Sequence, residues 1–80
     1  MKAYKVKLSK GTAALFVLAR DAGEYTITII EERTNGETLG VFSASKITPS
    51  KQEAKRIFKK ICRGRVFGET LLDVVENLIG

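Results

Sequence analysis

Histidine and tryptophan are absent from this sequence of 80 residues, and cysteine and proline occur once each. Without histidine there is no imidazole base, no Ser–His or Cys–His nucleophile pair and no zinc site that needs an imidazole. The lone thiol, Cys62, forms no disulfide within the chain and cannot build a zinc site of cysteines alone. Long apolar runs are missing too. The longest, from Ala13 to Ala19, has seven residues, against roughly 20 for a membrane-spanning helix. Lys2, Lys5, Lys7 and Lys10 precede that run as they would in a leader peptide. However, Tyr4, Val6 and Leu8 alternate with lysines at the period of a strand. Cytoplasmic residence is the expectation.

What is present is the composition of a small globular domain: 44% hydrophobic, 29% charged, net charge +5. That is unlike a disordered tail. A chain this short buries only about 60% of the surface exposed when unfolded. One modest core and a single domain over residues 1–80 are therefore expected.

The front half is strand-like. Tyr4, Val6 and Leu8 form one face of a first strand, and Ser9-Lys10-Gly11 supplies a turn. Thr12 to Ala19 is apolar at nearly every position, so both faces of a second strand should be at least partly covered. Asp21-Ala22-Gly23 turns the chain into Glu24–Thr34, rich in β-branched and aromatic residues. Asn35-Gly36 is the strongest hairpin signal and predicts a two-residue type I′ turn, with positive φ at both residues. Glu37–Ile47 returns as a fourth strand, in which Gly40 marks a bulge or weak point.

The back half is helical. Ser50 and Glu53 have the spacing of a capping box, in which the serine oxygen accepts the Glu53 amide and the glutamate reaches back. Ala54, Ile57, Phe58, Ile61 and Cys62 then recur along one helical stripe, with Gly64 as the stop. Val66 and Phe67 follow. Thr70 and Asp73 make a weaker cap for a last helix whose apolar side is Leu71, Leu72, Val74, Val75, Leu78 and Ile79. The expected fold is α+β: a four-stranded antiparallel β-meander followed by two C-terminal α-helices packed on one face. The other face is the open question. Ala14, Phe16 and Leu18, or their alternates, would line it and favour a homodimer.

Three stretches carry a family resemblance: Tyr25-Thr26-Ile27-Thr28-Ile29-Ile30-Glu31, Ile47-Thr48-Pro49-Ser50, and Thr70-Leu71-Leu72-Asp73-Val74-Val75-Glu76-Asn77-Leu78-Ile79. From Tyr25 onward the chain resembles a small family of uncharacterised bacterial proteins, mainly from spore-forming Gram-positive lineages, that end in a leucine-x-aspartate-valine-valine-glutamate helix. Gly68, Glu69 and Thr70 stand where relatives often carry a polar residue such as histidine, and the first helix is more basic than expected of a relative. The resemblance implies a fold and no activity.

Charge is unevenly distributed. Residues 1–10 carry +4 and 46–65 carry +7, while 11–45 and 66–80 carry −3 each. Lys51, Lys55, Lys59 and Arg63 follow at i, i+4 along the first helix, with Arg56 and Lys60 beside them. Repulsion of this kind costs an isolated helix about 0.2–0.5 kcal/mol per pair. These six residues are the candidate anion- or partner-binding set; the blander reading is a solvated face offset by Glu69, Asp73 and Glu76. Tyr25 and Phe58 fall at core positions, and no basic-aromatic RNA-recognition motif exists. A helix-turn-helix reading fails because the second helix is acidic and would repel phosphate. Glu69, Asp73 and Glu76 share one face but lack the oxygen count and loop of a calcium site. Cys62, at the edge of the stripe, reads as a buried small hydrophobe.

No catalytic, cofactor or metal residues are expected, and an enzyme is not. The expected function is a small non-enzymatic binding or regulatory module acting through protein–protein contact. The alternative is a nucleic-acid-binding module using the cationic helix over residues 50–63.

Overall fold

The structure, a computed structural model, describes residues 2–64 and 70–79, without the side chains of Leu8, Ser9 and Ile79. Val66, Phe67, Gly68 and Glu69 lie outside the described residues. Strands β1 (Lys2–Ser9), β2 (Thr12–Asp21), β3 (Glu24–Arg33) and β4 (Thr38–Thr48) precede helices α1 (Lys51–Gly64) and α2 (Leu71–Ile79). The strands pair antiparallel in the order β1-β2-β3-β4. This is the α+β meander that the alternation and short turns predict.

Register sorts the side chains into two faces. Tyr4, Phe16, Ile29 and Phe42 lie abreast on one, beside the row Lys2, Leu18, Ile27 and Ala44. Both helices pack on this inner face: α1 lies across β2, β3 and β4, and α2 lies against β4. Phe16, Ile27 and Ile29 are fully buried there with Ala54, Ile57 and Ile61 of α1 and Leu71 and Val75 of α2. Burying a Leu, Ile or Phe side chain contributes about 1.5–3 kcal/mol each, so this cluster holds the layers together. The outer face carries the row Lys5, Leu15, Ile30 and Val41 beside Ala3, Val17, Thr28 and Ser43. The open question is thereby answered: Ala14, Phe16 and Leu18 point inward, and their alternates Leu15 and Val17 point outward, half-buried.

One turn differs from expectation. Asn35 does not have positive φ. The Gly36 amide donates to the Arg33 carbonyl (2.9 Å), the Arg33 amide donates to the Glu37 carbonyl (2.8 Å), and Gly36 follows the turn at φ +94°. The β3–β4 connection is thus a three-residue loop, Thr34–Gly36, and the predicted type I′ geometry does not form there. Asn35 acts through its side chain, whose Oδ1 accepts the Glu37 amide at 3.0 Å. The pair of consecutive positive φ angles occurs one hairpin earlier, at Ala22 (+52°) and Gly23 (+83°), between the paired residues Asp21 and Glu24.

Strand β4 is irregular in two places. Register shifts where Leu39 is the extra residue beside Gly40, as the glycine suggested, and again between Ala44 and Thr48, where Lys46 adopts φ +52°. The second irregularity lets Ala44 and Ile47 both enter the core, although strict alternation would turn Lys46 inward. At α1's start, Ser50 Oγ accepts the Glu53 amide at 3.3 Å, but the reciprocal half of the capping box is absent. The Ser50 amide donates to Thr48 Oγ1 (3.1 Å) instead, and the Glu53 carboxylate is held by Arg56. Among the described residues, no helix is long and apolar enough to cross a membrane.

Candidate binding groove

The site follows from how α1 lies on the sheet. Its apolar stripe is centred on Ala54, Ile57 and Ile61, which seat over β2 to β4. Edge strand β1 lies at the margin of this packing: Val6 packs against the core, while Tyr4, although beside buried Phe16, stays 56% exposed. Between β1 and the flank of α1 runs an open groove of about 710 Å³, lined by Lys2, Ala3 and Tyr4 on one side and Lys55, Phe58, Lys59, Cys62 and Arg63 on the other. A second recess of about 360 Å³ shares Lys2 and Lys55 with it and adds Leu18, Arg20, Tyr25 and Lys51. The two make one trough along α1.

Its rim is cationic throughout. Lys2, Arg20, Lys51, Lys55, Lys59 and Arg63 line it, and among the described residues no aspartate or glutamate does. Ion pairs among the described residues join Lys5 to Glu32, Arg33 to Glu37 and Arg56 to Glu53. None involves a trough cation. Beneath the charges the floor is apolar: Phe58 is buried, and Cys62 is partly buried against the core. Burial pushes the Cys62 thiol up from its ordinary range. Packed against the core near the end of α1, Cys62 forms part of the groove wall.

Of the six cations singled out from the helix, the trough gathers Lys51, Lys55, Lys59 and Arg63. Arg56 faces away. Its guanidinium binds the Glu53 carboxylate and donates to the Leu78 carbonyl of α2 at 3.0 Å, tying the two helices together. That hydrogen bond holds the Glu53 carboxyl below its ordinary range and raises Arg56 in turn. Lys60, exposed and one turn on from Arg56, lines neither recess. Sequence reasoning missed Lys2, Tyr4 and Arg20. The Lys10-Gly11 turn alone, continued from the Ser9–Thr12 pair, would set Tyr4 opposite Val17; the register shift between Lys7 and Ser9, which the residues there do not signal, brings Tyr4 opposite Phe16 and Lys2 opposite Leu18.

Among the described residues, no group of three or more His, Cys, Asp or Glu side chains is placed to hold a metal ion. Glu69, the first of the acidic trio, lies outside those residues. The trough offers fixed positive charge over an apolar floor, which suits binding an anionic, partly apolar chain. No curated protein and no solved structure matches the chain. One family model does, over residues 4–80 of the 80, and the chain belongs to that family, the Family of unknown function DUF6514.

Proposed function

We propose that this domain is a small, non-enzymatic, cytoplasmic binding module that acts through protein–protein contact, taking an acidic segment of a partner protein into the trough between β1 and α1. The observation that carries this reading is the combination, among the described residues, of six lining cations, an apolar floor and no lining carboxylate. A solvated face would more usually mix signs. Nucleic acid is the competing anion. Single strands are held where successive bases stack on aromatic platforms. In the trough, Phe58 is buried and Tyr25 half-buried, which leaves Tyr4, among the described residues, as the one lining ring that is mostly exposed. That favours a peptide.

Fluorescence anisotropy at physiological salt tests it, with an oligo-glutamate peptide and a mixed-sequence oligonucleotide, single-stranded and duplex, as labelled probes. The peptide is expected to bind, and Lys55→Gln with Lys59→Gln to weaken it at least tenfold. An oligonucleotide that binds more tightly than the peptide would establish the alternative, and no binding of any probe would reduce the charges to solvation.

A second reading concerns self-association. Val41, 60% exposed, ends the apolar row through Leu15 and Ile30 on the outer face, and Lys5, at the other end of that row, is paired with Glu32 at 3.4 Å. An apolar row whose neighbouring charges are already paired within the chain suits contact with the same row of a second copy turned through a two-fold axis. A homodimer would form there, on the face opposite the trough.

A further inference from the structure

We infer that the acidic segment binds as a fifth strand on the free edge of β1. This rests on the peptide-binding reading and adds the mode of binding. β1 pairs with β2 along one edge, in unbroken register from Lys2 to Lys7. Among the described residues, no strand or helix pairs with its other edge. The trough borders that edge directly through Lys2, Ala3 and Tyr4. An extended peptide added there would place alternate side chains beside Tyr4 and Lys2, facing α1, and its backbone against the open amides and carbonyls of β1.

Charge selects the occupant. β1 carries Lys2, Lys5 and Lys7 and no carboxylate, so pairing it with a second β1 sets lysine near lysine in either direction. Self-pairing is opposed, and an acidic strand is matched. The other edge of the sheet is unsuited to the same role. β4 is broken by its irregularities at Leu39 and at Lys46, which interrupt any continuous ladder.

Lys55, Lys59 and Arg63 line the groove on the side that faces Lys2, Ala3 and Tyr4. A strand added beside those three residues, with acidic residues on its inward face, would meet these cations. Its outward-facing side chains lie beside Ala3 and Lys5 and need carry no charge.

The probe is an eight-residue peptide of alternating Glu and Thr, compared with two versions N-methylated at alternate amides, one set and then the other, and with one methylated at every amide. Methylation leaves the carboxylates in place and removes ladder donors. The unmethylated peptide is expected to bind and to slow hydrogen exchange of the open β1 amides at least tenfold, with the fully methylated peptide at least tenfold weaker. If all versions bind alike and β1 exchange is unchanged, the added strand is overturned while the cationic trough stands. If even the unmethylated peptide fails to bind, both the strand and the trough reading fall together.

Discussion

At the scale of single residues, backbone conformation and sequence preference part company at one turn. Ala22 holds φ +52° although alanine has neither glycine's freedom nor asparagine's tolerance of that region. The left-handed conformation costs an L-residue roughly 1–2 kcal/mol. Asn-Gly is the preferred pair for consecutive positive φ. Ala22→Asn should therefore stabilise the fold by about 1 kcal/mol, which in a domain of this size raises the melting temperature by roughly 4–8 °C. Circular dichroism on heating checks it, and an unchanged or lower midpoint would mean that Ala22 is not in that conformation. The strongest turn signal found its hairpin but not its turn type. Asn35-Gly36 reads as a type I′ turn in isolation, but Asn35 satisfies the Glu37 amide with its side chain, and only Gly36 takes positive φ. Local pattern located the hairpin. Its loop length depended on which hydrogen bonds the flanking strands could complete.

At the scale of elements, the strands and helices were legible because each has one clear period, and the helix limits at Ser50 and Gly64 follow from cap and stop residues. Less legible was which flank of α1 would be walled. The helical wheel groups six cations opposite the apolar stripe. Only the packing of α1 across β2 to β4 assigns four of them to the trough and turns Arg56 toward Leu78. Crowding on the trough side has a stability consequence. Lys51, Lys55, Lys59 and Arg63 form three successive i, i+4 repulsions, each worth about 0.2–0.5 kcal/mol in an isolated helix. Lys55→Gln with Lys59→Gln removes a member of every pair, and glutamine propagates a helix about as well as lysine. The double variant should therefore melt a few degrees higher at low salt while binding the acidic peptide more weakly, with the stability gain fading as salt rises. A variant that lost stability would show that these side chains hold the helix in place rather than await a ligand.

At the scale of the molecule, the sheet has two unlike faces, and the order of connection makes them so. Four sequential strands followed by two helices place both helices on the side where Phe16, Ile27 and Ile29 point. The sequence of β2, apolar on both sides, did not reveal which set would be covered. The choice is made by Ile29 and Ile27 standing opposite Phe16 and Leu18, with Phe42 and Ala44 beyond them. Leu15, Val17, Ile30 and Val41 are left on the outer face, softened by Thr28 and Ser43, whose hydroxyls hydrogen-bond across the strands at 3.0 Å. A dimer formed through this face would leave both β1–α1 troughs open, one on each side of the assembly. Two troughs on one particle would hold a partner carrying two acidic segments more tightly than either alone, through effective concentration. Light scattering at high micromolar concentration should then return twice the monomer mass. Val41→Lys should return the monomer, because it sets a charge at the end of the buried row. Because Val41 is exposed in the monomer, that substitution should leave the monomer's own melting nearly unchanged, within about 0.5 kcal/mol. Affinity for a single short peptide should not move either, since the trough lies on the opposite face. A wild type that stays monomeric would leave the outer face as a solvated surface and the trough as a single site.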